Sequence, residues 1–187
     1  MADTIRVLGI SGSLRRNSYN AGLLRAAAEL LPEGMTLETF DLAPIPLFNQ
    51  DILDTSGPPE PVKQFKARIA AADALLIATP EYNYSIPGVL KNAIDWASRP
   101  VQDSPLNGKP LSMMGAGGVM GTSRAQYHLR QVAVFTNMLP LNKPEVMVQR
   151  SQEKFDAQGN LTDEPTRQQI RALLEALAAW TRRLRGR

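Results

Sequence analysis

A chain of 187 residues can bury one core without staples, and it carries no cysteine, which removes disulfides, thiolate nucleophiles and thiolate metal sites. No apolar run approaches the roughly 18 residues of a membrane span, and no leader pattern precedes Ile5, so a cytoplasmic protein is expected. The net charge of +3 comes from a tail crowded with Arg182, Arg183, Arg185 and Arg187; setting these four aside leaves −1, and no nucleic-acid partner is expected. Arginines in the last turn of a helix oppose its negative dipole end.

Ile5 to Ile10 reads as a first strand. Leu24, Ala27, Ala28 and Leu31 then recur at the spacing of a buried helix face. Met35 to Leu42 mixes apolar and polar residues as an edge strand does. Pro44, Pro46, Pro58, Pro59 and Pro61 exclude regular structure throughout the next stretch. Val62 to Ala72 looks helical, and the continuously apolar Ala74 to Ala78 reads as a strand buried on both faces. Pro87 suits the first turn of a helix whose inner face is Val89, Leu90, Ala93, Ile94 and Ala97. Pro110 to Met114 is a fourth strand, Thr122 to Met138 a helix, and Glu145 to Val148 a fifth strand. Gln149 to Glu164 reads as a polar loop, and Ile170, Leu173, Leu174, Leu177 and Leu184 mark a last helix.

Five strands alternating with helices imply an α/β fold with a parallel sheet covered on both faces by right-handed crossovers. The expectation is a single domain over residues 1–187, a three-layer flavodoxin-like sandwich with a five-stranded parallel sheet in the order 2-1-3-4-5. Ligands bind such sheets at the carboxyl ends of the strands, where the strand order reverses. Here that point falls between the first and third strands.

Three loops end there. The first, through Ser13, Arg15, Ser18, Tyr19 and Asn20, gathers hydroxyls, an amide and guanidinium groups at the start of a helix, the composition of an anion site. Neither a dinucleotide fingerprint nor a P-loop is present, so a terminal monophosphate suits it better. The alternative is that Ser18 merely caps the helix. The second loop, Pro80-Glu81-Tyr82-Asn83-Tyr84, offers flat apolar faces and directional hydrogen bonds to a heteroaromatic ring, or else is a well-packed turn. The third, from Gly115, Ala116 and Gly117 to Gly121, has almost no side chains, so backbone can approach a ligand closely.

Gly12-Ser13-Leu14-Arg15 with Ser18 and Asn20, Pro80-Glu81-Tyr82-Asn83, and Gly88 followed by Leu90 to Trp96 together resemble the NAD(P)H-dependent FMN reductases, in the chromate and quinone reductase branch. Arg124 to Arg130 and Asn142 to Glu145 resemble that branch too. The resemblance implies that Ser13, Arg15, Ser18 and Asn20, with Tyr19 beside them, hold the FMN phosphate. Pro80, Glu81, Tyr82, Asn83 and Tyr84 would line the ring and ribityl chain, largely through backbone groups, and Gly115, Ala116 and Gly117 would close the other side. The branch often has serines early in the third loop; Gly115 and Ala116 depart from it, leaving that role to backbone donors.

The resemblance further implies a ping-pong cycle. NAD(P)H, the co-substrate, gives hydride to the flavin and leaves, and a small-molecule acceptor takes its place: a quinone, or chromate, an azo compound or free flavin. The flavin then carries the chemistry, so no catalytic side chain and no metal is nominated. His128, the only histidine, reads as a surface or interface residue. The resemblance implies a homodimer or homotetramer, with Arg124, Tyr127 and Glu145 as candidates for contacts between copies. Two other readings stand beside it. A hydrolase would need G-x-S-x-G, but Ser13 stands where the last glycine belongs. A non-enzymatic electron carrier or redox sensor of the same fold would usually be strongly acidic, which this chain is not.

Overall fold

The computed structural model describes residues 4–186. Its strands are β1 (Ile5–Ser11), β2 (Met35–Phe40), β3 (Ala74–Ala78), β4 (Pro110–Ala116), β5 (Leu139–Pro140) and β6 (Val146–Val148). Its helices are α1 (Tyr19–Glu29), α2 (Gln50–Ser56), α3 (Glu60–Ala71), α4 (Gly88–Ala97), α5 (Ser123–Thr136) and α6 (Glu164–Arg185). All pairings between strands are parallel, in the order β2-β1-β3-β4-β5, with β6 also on β4. The predicted order and fold class are those observed.

The pleat sends alternate side chains into two cores. Ile5, Val7, Leu76, Met114 and Ala116 pack against α1 and α6. Leu8, Ile10, Leu75, Ile77, Leu111 and Met113 pack against α3, α4 and α5. Ala74 to Ala78 is buried at every position, as a strand covered on both faces must be.

Several elements differ from expectation for identifiable reasons. The fifth strand is split: β5 pairs with Pro110 and Leu111, β6 with Met114 to Ala116. Pro140 and Pro144 lack the N–H that a continuous ladder needs. The buried face of α1 is Leu23, Leu24, Ala26 and Ala27, while Ala28 is exposed and Leu31 lies past the helix end. It is shifted because Gly22 lies flush against the Gly159 carbonyl, so the 155–161 loop covers a second side of the helix. That loop is not featureless: Phe155 and Leu161 are buried, and Tyr19 stacks on Phe155 at 4.7 Å. The proline-rich stretch contains α2, capped by Asn49, with no fully buried residue and only Leu53 packed partly against the core. On α4, Trp96 joins the core and its Nε1 donates to the Pro46 carbonyl at 2.9 Å, while Val89 is only partly buried. Arg182, Arg183 and Arg185 do occupy the last turn of α6; Arg187 lies outside the described residues. Among the described residues, no helix is long and apolar enough to cross a membrane.

Candidate functional site

The carboxyl ends of β1, β3 and β4 lie side by side, so the three loops that follow them meet at one edge of the sheet. The Gly12 amide donates to the Ala78 carbonyl at 2.8 Å and ties the first loop to the end of β3. Local hydroxyls then shape the turn. Ser13 Oγ accepts from the Arg15 amide at 3.3 Å, and Ser18 Oγ caps α1 by accepting from the Ala21 amide at 3.3 Å. Ser18 is thus a helix cap, whatever else it does, and each hydroxyl keeps its own proton to donate. The amides of Tyr19 and Asn20 have no acceptor among the described residues. They form the positive end of α1. The exposed Arg15 guanidinium lies 4.8 Å from the Tyr19 ring centroid and donates to the Asn17 carbonyl at 3.0 Å.

The Asn20 side chain is engaged in the frame of the loops. It is buried; Nδ2 donates to the Ala116 carbonyl at 3.1 Å and Oδ1 accepts from the Ala116 amide at 3.0 Å. The pair clips the first turn of α1 to the end of β4. It also occupies the backbone groups of Ala116 that were expected to face a ligand. Gly115 belongs to β4 and is buried; a Cβ there would overlap Thr122 Oγ1 and the Thr79 carbonyl. Its missing side chain serves packing, and a serine at this position has no room. Gly117 lies at the rim, its amide donating to the Val148 carbonyl at 3.0 Å and its carbonyl accepting from the Ser151 amide at 3.0 Å.

In the second loop Tyr82 and Ser85 exchange backbone hydrogen bonds of 3.0 Å in both directions. Asn83 and Tyr84 between them have φ of 50° and 67°. Two central residues with positive φ make a type I′ turn. Asparagine tolerates this conformation, but tyrosine rarely adopts it. Tyr82 and Tyr84 are 50% and 66% exposed and present their rings at the mouth, while Pro80 is buried beneath.

Helix α5 grips this loop at three points, and sequence reasoning missed all of them. The Glu81 carboxylate accepts from the Arg124 amide at 3.0 Å and the Ala125 amide at 3.3 Å, and pairs with the Arg124 guanidinium at 2.5 Å. The Arg124 guanidinium in turn lies 3.7 Å from the Tyr84 ring centroid. One turn further on, His128 Nδ1 is 2.9 Å from Ser85 Oγ. Arg124 is therefore engaged within its own chain. The i, i+4 spacing of Arg124 and His128, on a helix that follows a glycine turn, is the signal that points to this. Of the other residues assigned to contacts between copies, Tyr127 is 63% exposed and Glu145 pairs with Lys143 at 2.7 Å.

A cavity of about 480 Å³ lies between α1 and β2, sharing Ser13 and Arg15 with the first loop. It opens on the far side of β1 from the strand-order reversal, with Leu24, Ala28 and Leu37 in its wall. The other two loops contribute nothing to it. The three loops themselves come together at the β1/β3 reversal. Among the described residues, no group of histidine, aspartate and glutamate is placed to hold a metal.

Residues 5–153 match the family model described as NADPH-dependent FMN reductase. The chain is 57% identical over 187 residues to an NAD(P)H-dependent FMN reductase of Pseudomonas aeruginosa, covering all of both chains. It is 47% identical to an NAD(P)H:quinone oxidoreductase of Solanum tuberosum, over 98% of this chain and 96% of that one. The solved structure of a flavoenzyme NAD(P)H:(acceptor) oxidoreductase from Paracoccus denitrificans superposes with a TM-score of 0.84 at 32% identity, over 96% of this chain and 98% of that one. With an anion-ready helix start and flat aromatic faces meeting at the strand-order reversal, and with these relatives matched from end to end, the chain belongs to the NADPH-dependent FMN reductase family.

Proposed function

We propose that the three loops form one FMN site at which NAD(P)H and then a quinone bind in turn. The observation that carries this reading is the start of α1. The amides of Tyr19 and Asn20, the Ser13 and Ser18 hydroxyls and the Arg15 guanidinium converge where a dianionic phosphate gains most from the helix dipole. Tyr19 supports Arg15 from below, while Asn20, Gly115 and Ala116 hold the frame. The backbone of Pro80 to Tyr84 would line the ring, with Gly117 closing the other side. When bound, FMN supplies the chemistry, taking hydride from NAD(P)H and passing it to the acceptor. The chain's own part is to fix the phosphate, orient the ring and leave one face open for donor and acceptor alternately.

The names of relatives support a quinone as acceptor. Quinone reductases of Solanum tuberosum and Escherichia coli are 47% and 39% identical to this chain. Tyr82 and Tyr84 at an open mouth suit flat acceptors of varied shape, which extends the proposal to azo compounds, free flavin and chromate. A dimer or tetramer, in the cytoplasm, completes the reading; Tyr127, Val134 and Phe135 expose an apolar stripe on α5 for contact between copies. A monomer by light scattering at micromolar concentration would count against that assembly. The enzymatic proposal is tested by anaerobic mixing of the FMN-loaded protein with NADH or NADPH. Flavin colour should bleach before any acceptor is added and return when a quinone follows. Colour that persists until donor and acceptor are both present overturns the alternating scheme.

A further inference from the structure

Helix α5 starts without a cap of its own, since the Thr122 hydroxyl accepts from the Gln126 side chain and from no backbone amide of the first turn. The missing acceptor is supplied across 43 residues of sequence by Glu81. Its side chain is only 7% exposed, and both oxygens are used: one by two backbone amides, the other by the Arg124 guanidinium. A carboxylate at a helix start meets the positive end of the dipole, and a fork-shaped guanidinium fixes its orientation. The same guanidinium covers the ring of Tyr84, the residue held at φ 67°. One carboxylate thus joins the loop after β3 to the helix after β4, and through Arg124 it holds the strained turn between Tyr82 and Ser85.

We propose that Glu81 is a positioning residue for FMN, clasping the second loop to α5 so that the loop stands in its cofactor-binding shape before FMN arrives. The inference rests on the FMN site argued above. Glu81 touches no cofactor atom with its carboxylate; it acts through the backbone of residues 80–85 and through Arg124. Without the clasp, the cofactor must order the loop as it binds, which weakens affinity and leaves the ring less uniformly oriented.

The test uses the full-length protein as Glu81→Gln and Glu81→Ala, with Asp163→Asn as a control. Asp163 starts α6 outside the three loops and pairs with Lys154, so replacing its charge with a neutral amide lowers the melting temperature without touching the clasp. Three quantities are read: amide hydrogen exchange of residues 80–85 in the FMN-free protein, the FMN dissociation constant from fluorescence quenching, and the visible circular dichroism of bound FMN. Glu81→Gln should speed exchange at the Tyr82 and Ser85 amides, weaken FMN binding about tenfold, as the loss of one charged cap implies, and diminish the flavin dichroism. Glu81→Ala should do more of each, and Asp163→Asn none. Wild-type affinity and dichroism in Glu81→Gln, with only a lowered melting temperature, overturns the proposal. So does an equal loss of FMN in Asp163→Asn. Failure of the underlying site is distinct: Ser13→Ala and Arg15→Ala would then leave FMN affinity unchanged in an otherwise wild-type chain.

Discussion

Single residues here often serve the frame where the sequence points to the ligand. Gly115 is the clearest case. A glycine after a strand invites the reading that backbone must approach a ligand, but its neighbours are Thr122 and Thr79, and they leave no space for a Cβ. Gly115→Ser should therefore destabilise the fold by about 1–3 kcal/mol, the usual range for overpacking, and a thermal melt of the FMN-free protein measures it. An unchanged melting temperature would mean that both Thr122 and the Thr79 backbone give way without cost. Ser18 has both a frame role and a proposed ligand role. Ser18→Ala should lose the α1 cap, about 1 kcal/mol in a melt, and weaken FMN as well, whereas Ser18→Asn should restore much of the cap. The identities of Ser13, Asn20 and Glu81 could be read from the chain as polar residues in the right loops. The partners of Asn20 and Glu81 could not, because Asn20 meets Ala116 and Glu81 meets Arg124 only after the sheet has brought distant segments together.

At the scale of elements, segments with a marked apolar pattern were legible and those without one were not. The apolar runs of β1, β3 and β4 and the stripe Ile170, Leu173, Leu174 and Leu177 of α6 announce themselves, because burial on one or both faces leaves a period. A two-residue β5 and an α2 with no fully buried residue leave none, whereas β6 is short but its apolar run Val146 to Val148 reads as a strand. Capping is the other legible device, and α6 offers a test of it. Asp163 Oδ2 accepts from the Thr166 amide at 3.0 Å and the Thr166 hydroxyl at 2.5 Å, and Lys154 lies 3.3 Å away. The Thr166 hydroxyl bond leads in holding this carboxyl below its ordinary range, outweighing partial burial, with the Thr166 amide and Lys154 adding to it. A carboxyl lowered on folding contributes stability above its unfolded pKa and loses that contribution as pH falls through the folded value. Acid melts below about pH 4 should therefore show a smaller difference between wild type and Asp163→Asn than melts near neutrality. A difference that stays constant across that range would remove Asp163 from the account.

On the scale of the whole molecule, the two ends of the sheet divide the labour. The loops gather at the carboxyl ends, while the opposite end carries Asp73, with Arg6 Nε at 3.2 Å and Arg185 Nη2 at 2.5 Å. Burial pushes the Asp73 carboxyl up, but hydrogen bonds from Arg6 and Arg185 outweigh it and leave it below its usual range. Beside it, burial lowers Lys109, whose Nζ donates to the Ala72 carbonyl at 2.6 Å. One member of the arginine-rich tail is thereby tied to the body. Asp73→Asn should lower stability by about 1 kcal/mol, since the arginines stay partly hydrated, and should leave FMN affinity at the wild-type value. A change in FMN affinity would show that the two ends are coupled. The split outer strand has a further effect. A sheet edge with free donors and acceptors is a template on which another chain can extend the sheet. Here Pro140 offers no donor, and the carbonyls of Leu139, Leu141 and Val146 already accept from Trp180, Arg130 and Gln126. Copies of this protein are thereby steered away from growing fibre-like along that edge, and a contact made there must rely on side chains.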